Sequence, residues 1–142
     1  MRRSVCRWML TLTFGAVGMS CATSKAAGQL PGGSADARKL TNPVPMTPQS
    51  INAGRQAFQK NCRSCHGAEG KGNGTMAPKN SRPSDLTDKQ WARGSTDGEI
   101  FSVVLEGAGP RFAMKGYKGR MTETEIWSVV HYIRSLGPKG TR

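Results

Sequence analysis

Cys62-Arg63-Ser64-Cys65-His66 constrains this chain more than any other feature in its 142 residues. Two thiols separated by two residues, with an imidazole directly after the second, suit few chemistries. A structural zinc site needs further ligands, yet the other two cysteines, Cys6 and Cys21, fall in or at the edge of an N-terminal leader. A thioredoxin-like dithiol expects a preceding strand and a surrounding sheet, and the flanking residues supply neither. A Cys62–Cys65 disulfide would leave the long irregular stretches after it unexplained. What remains is covalent haem attachment, for which C-x-x-C-H is the signature. The two thiols form thioethers to the vinyl groups of one haem c, and the adjacent imidazole of His66 lies under the iron as proximal ligand.

The patterning around the motif agrees with a buried cofactor. A first helix is expected from Pro48 to Asn61, with Ile51, Gly54, Ala57, Phe58 and Asn61 on one face, delivering the chain to Cys62. From Gly67 to Lys89 the chain is rich in Gly, Pro, Asn, Ser and Lys and reads as loop. A second helix begins at Ser95 or Thr96, where Thr96 and Glu99 have capping-box spacing, and Gly107-Ala108-Gly109-Pro110 stops it. A last helix starts from Thr122, with Glu125 three residues on, and ends at Gly137-Pro138. No run of residues reads as a strand. The expected fold is therefore all-α, with three to five helices and long loops, and loops of that length in a small domain point to a wrapped ligand or a function.

Residues 1–21 have the layout of an export signal: Arg2, Arg3 and Arg7, then an uncharged apolar run from Trp8 to Met19. A run of about a dozen residues is short of the roughly 20 that a membrane-spanning helix needs. Gly18-Met19-Ser20-Cys21 resembles the lipobox of bacterial lipoproteins, with Gly in place of the usual leucine, and would make Cys21 a lipidated N-terminus. Ordinary cleavage after Ala22 is the competing reading. Residues 22–48, rich in Ala, Gly, Ser, Thr and Pro, are expected to form a flexible tether, and residues 49–138 the folded domain.

Charge bears on partners. The full chain carries a formal +12, and from Cys21 onward 18 Lys and Arg stand against 9 acids. The cations are scattered singly and no nucleic-acid-binding motif accompanies them, so nucleic acid is set aside. Cations ringing an exposed haem edge, among Lys60, Arg63, Lys71, Lys79, Arg111, Lys115 and Lys118, would steer the domain to acidic docking surfaces on redox proteins.

The residues also carry a family resemblance. Gly54, Phe58 and Cys62 recur at four-residue steps, Cys62 to Gly67 follow, and Met114 precedes a final helix containing Glu125-Ile126-Trp127 and Tyr132-Ile133. In this the chain resembles the class I c-type cytochromes from Ile51 to Leu136. The resemblance implies that Gly54 and Phe58 pack on Val129 and Tyr132, and that the Pro78 carbonyl, with Pro83 as alternative, accepts the second N–H of His66. From the residues alone the sixth iron ligand is open among Met76, Met114, Met121 and His131, with His131 expected to be exposed; the resemblance implies Met114. Lys115 departs from the proline that commonly follows that methionine. Trp91, Arg93 and Tyr117 are candidates for packing on the haem or bonding its propionates. The expectation is a monomeric, periplasmic electron carrier rather than an enzyme, with a haem-bearing subunit of a larger dehydrogenase or terminal oxidase complex as the alternative.

Overall fold

The computed structural model describes residues 34–80, 82–109 and 113–137. Along them run α1 (Ala35–Lys39), α2 (Pro48–Asn61), α3 (Arg63–His66), α4 (Asp97–Glu106), β1 (Gly107–Ala108), β2 (Met114–Lys115) and α5 (Glu123–Leu136). The leader and residues 22–33 lie outside the described residues.

Each long helix starts on a reciprocal cap that satisfies amide groups no helical carbonyl can reach. Thr47 and Ser50 form it on α2, Thr96 and Glu99 on α4, Thr122 and Glu125 on α5. The main packing is α2 against α5. It is close because Gly54 presents no side chain: a Cβ there would fall into the backbone of Ser128 and Val129. Fully buried Phe58 sits one turn further along α2, its ring 5.2 Å from that of Tyr132 on α5. Phe101 of α4 stacks on Trp127 of α5 at 4.0 Å, bringing the third long helix onto the same core.

The structure corrects three expectations. The tether expected over 22–48 does not extend through residues 34–47. Ser34 caps α1, Ala37 is completely buried, and α1 packs on α4, where a Cβ at Gly98 would run into the backbone of Ala37 and Leu40. Arg38 Nε donates to buried Glu99 at 3.0 Å. Glu99 stays below the usual carboxylate range because the Thr96 N–H bonds its ionised form, with Arg38 and the Thr96 hydroxyl adding to that. The composition of this strap reads as linker because one alanine and one valine, Ala37 and Val44, do most of its apolar packing.

His131, expected to be exposed, is 3% exposed. Residues 126–133 are buried on every face because α2, α4 and the strap all pack around α5. Asn42 Oδ1 accepts from Val44 N–H, which fixes the amide and turns Nδ2 toward the Trp127 carbonyl at 3.2 Å and His131 Nε2 at 2.9 Å. His131 Nδ1 lies 3.0 Å from Ser50 Oγ, whose own proton goes to the carbonyls of Pro45 and Thr47. The ring is therefore neutral, protonated at Nδ1 and accepting at Nε2. The third correction is small: the Gly107 region and Met114-Lys115 form an antiparallel two-residue ladder, Gly107 opposite Lys115 and Ala108 opposite Met114.

Gly54→Ala is expected to force α2 and α5 apart at a cost of about 1–3 kcal/mol or more, lowering Tm by roughly 10 °C in thermal unfolding of the haem-loaded protein.

Burial holds His131 below its ordinary value, with the Asp97 charge opposing that only in part. Asp97 itself is engaged by Arg134 Nε at 2.7 Å. A group that resists protonation when folded costs no stability above the unfolded pKa of about 6.5, and destabilises as pH falls below it, by up to about 1.4 kcal/mol per pH unit until the folded group titrates. Protonation at Nε2 would also set it donor to donor against Asn42. Unfolding between about pH 6.5 and 5 should therefore show a loss of stability that is smaller in His131→Gln.

Candidate haem-attachment site

Cys62 closes α2, its N–H donating to the Phe58 carbonyl at 2.8 Å. The next four residues form the single turn α3, with Cys65 and His66 N–H both donating to the Cys62 carbonyl. A turn this short has almost no internal hydrogen bonding, so its carbonyls need outside donors. The following loop provides them. Gly67, at φ +81°, reverses the chain, and Met76, Gly74 and Gly72 N–H then donate to Ser64, Cys65 and His66 carbonyls at 2.8, 3.0 and 2.8 Å. The glycines make this approach feasible: a Cβ at Gly74 would meet Ser64 and Cys65 backbone, and one at Gly72 the Pro83 carbonyl. The loop that composition left without regular structure is ordered by capping the motif.

Cys62 is 8% exposed and Cys65 half-buried, and both thiols are free. Burial, reinforced by Cys65, pushes the Cys62 thiol up to about 12. The imidazole of His66 stands 6.4 Å from Phe58, ring centre to ring centre, tilted 51°. Burial lowers its pKa, an effect that the backbone of Ser84 partly offsets, and this favours the neutral ring that metals require.

His66 Nδ1 is buried with no hydrogen-bond partner. The carbonyl acceptor expected at Pro78 or Pro83 is thus not engaged. The Pro83 carbonyl packs against Gly72 instead, and Ser84, one residue on, is the backbone group that influences the ring. An unsatisfied buried ring nitrogen costs roughly 1–3 kcal/mol. Two free thiols and a buried, neutral imidazole within five consecutive residues fit a haem attached through both sulfurs and ligated by that ring.

The four sixth-ligand candidates separate. Met76 is 70% exposed beyond α3. His131 has both ring nitrogens engaged by Ser50 and Asn42. Met121 packs against the core ahead of α5, and Met114 packs against it from β2. Lys115 next to it is exposed. Among the haem-packing candidates, Trp91 is half-buried against the core with the Arg134 guanidinium 5.7 Å from its ring centre, and Arg93 is exposed. Tyr117 spends its hydroxyl on the Asn61 carbonyl. Sequence reasoning missed the capping loop, whose signal was the Gly67, Gly70, Gly72, Gly74 spacing.

Comparison with known proteins places these features. The family model for cytochrome c matches residues 51–137. The chain is 34% identical over 84 residues to a cbb3-type cytochrome c oxidase subunit FixP of Bradyrhizobium diazoefficiens, an alignment covering 59% of this chain and 27% of that protein. It is 37% identical over 90 residues to a cbb3-type oxidase subunit CcoP of Rhodobacter capsulatus, covering 60% and 29%. The matched part is thus under a third of these relatives' length. Among solved structures, a Kuenenia stuttgartiensis reducing HAO-like protein complex matches at 23% identity and TM-score 0.61, covering 70% of this chain and 50% of the other. Cytochrome cL of Methylophaga aminisulfidivorans matches at 24% and 0.51, covering 62% and 53%. At such identities these two likenesses concern fold alone.

Gly74→Ala is expected to push the capping loop off α3 and lower Tm by several degrees, for a cost of about 1–3 kcal/mol, in a thermal melt followed by far-ultraviolet circular dichroism.

Proposed function

The chain belongs to the cytochrome c family, and from that premise we propose an exported one-electron carrier that holds one haem c through Cys62 and Cys65, with His66 and Met114 as axial ligands. The observation that carries this reading is the single turn α3 with Cys62 at its N-cap, which brings together both free thiols and a buried, neutral imidazole. One haem is proposed because the 142 residues contain one C-x-x-C-H. Haem c supplies a one-electron iron couple when bound, and a thioether ligand raises its potential.

The chain's own residues then have distinct tasks. Cys62 and Cys65 fix the cofactor's position permanently. His66, kept neutral by burial and braced by Phe58, is poised to ligate. Loop 67–76 holds α3 in shape by capping its carbonyls. Met114, packed against the core from β2, would be the second protein ligand to the iron, its thioether favouring the reduced state of the couple. Residues 1–21 direct export to the periplasm, and Cys21 carries the lipid that ties the protein to a membrane.

Docking to an acidic partner surface follows from the charge of the domain. Lys60, Arg63, Lys79 and Lys115 are exposed. Lys71 and Lys118 contribute less, because Glu69 and Glu106 pair with them at 2.8 and 3.1 Å. A second reading, a haem-bearing subunit of a terminal oxidase, is favoured by the relatives, which are named as subunits of cbb3-type oxidases. Migration as a lone monomer after mild extraction supports the carrier; co-purification with membrane-bound oxidase subunits supports the second reading.

Met114→Ala tests the ligand set. The oxidised parent should be six-coordinate and low-spin with a weak sulfur-to-iron band. The variant should lose that band, bind carbon monoxide when reduced, and fall in potential by a fraction of the ~0.8 V that axial ligation spans. An unchanged spectrum and potential would place the sixth ligand elsewhere.

A further inference from the structure

The break between α2 and α3 leaves one backbone carbonyl outside both helices. In a continuous α-helix the Cys65 N–H would reach Asn61; here it donates to the Cys62 carbonyl at 3.1 Å, and His66 N–H goes to the same oxygen at 2.9 Å. A half-buried carbonyl that loses its helical donor needs another. The Tyr117 hydroxyl supplies it, donating to the Asn61 oxygen.

Tyr117 stands three residues after Met114, on the segment that leaves β2. Its backbone is held as well: its N–H donates to the Val104 and Leu105 carbonyls, both at 3.0 Å, at the end of α4. Its ring packs on the core, and the Arg120 guanidinium covers it 4.4 Å from the ring centre. Burial raises the hydroxyl above its ordinary value, so it is a proton donor throughout the neutral range. Its single proton is committed to Asn61.

We propose that Tyr117 is a positioning residue that clamps the Met114 segment to the residue preceding Cys62, and so keeps added ligands from displacing Met114. The inference rests on Met114 being the sixth ligand. One hydrogen bond thus joins the two segments that supply attachment and distal ligation. An added ligand can bind only in the fraction of molecules whose methionine has left, and its apparent affinity scales with that fraction. Removing a hydrogen bond that exists only in the closed arrangement raises that fraction by about five- to tenfold.

The test is an imidazole titration of the oxidised, haem-loaded full chain, read by absorption, beside its Tm. Tyr117→Phe keeps the ring and should bind imidazole about five- to tenfold more tightly, with a weaker sulfur-to-iron band. Arg120→Ala, at an exposed position, should move both readouts the same way by less. Ile126→Val trims the core on α5 and serves as the control: it should lower Tm without changing imidazole affinity. The clamp is overturned if Tyr117→Phe and Arg120→Ala both titrate like the parent, or if Ile126→Val gains as much affinity for the same loss of Tm. A parent that lacks the sulfur-to-iron band removes Met114 as ligand, and the clamp with it; a parent with the band and unresponsive variants removes the clamp alone.

Discussion

The close crossing of α2 and α5 is the contact on which the rest of the molecule depends. Gly54 lets the two backbones meet at Ser128, and this depth of approach brings the ring of Phe58 to 5.2 Å from that of Tyr132, tilted by 59°. Phe58 in turn backs the ring of His66. The position of the candidate iron ligand is therefore set by a missing methyl group three turns earlier in the chain. A cytochrome c fold has little core for its length, since only 36% of this chain is apolar. Its order comes from such close backbone contacts, from capped helix ends, and from the cofactor that the family holds between them.

Much of this was legible because the informative residues interact locally or at fixed helical offsets. Thr96 with Glu99 and Thr122 with Glu125 lie three residues apart and cap α4 and α5 as expected. The C-x-x-C-H motif needs only one turn of chain to bring its side chains together, and α3 provides it. The failures share a cause. His131 and the strap pack on each other across 89 residues, through Asn42, and no periodicity reports a polar pair formed at that distance. A helix wrapped on all sides cannot be distinguished by pattern from one with a single buried face when its extra cover is a strap of Ala37, Asn42 and Val44. The capping loop was misread for a related reason: its hydrogen bonds are to α3, so composition shows its glycines but not their partners.

The capping loop and the β1–β2 ladder approach the problem of a short irregular site from two sides. On the attachment side, backbone donors of Gly72, Gly74 and Met76 serve carbonyls that a four-residue helix cannot satisfy. On the side of Met114, two residue pairs and the Tyr117 amide fix a segment that has no helix of its own. Neither device buries much apolar surface. Both instead make loop conformation cost hydrogen bonds to change, which is how a domain with so much irregular chain keeps a defined geometry around a cofactor.

The strap also changes how far the domain can stand from anything joined to its N-terminal side. With α1 docked on α4, the fixed point of the chain is Ser34 rather than Pro48. Thirteen Cα-to-Cα steps separate Cys21 from Ser34. Fully extended they cover at most ~45 Å, about half the contour that would be available if the chain were free up to Pro48. A lipid on Cys21 of the kind proposed would therefore be a short leash leaving from one spot on the α1–α4 face, and the orientations open to the domain would be those in which that spot lies within reach of the membrane.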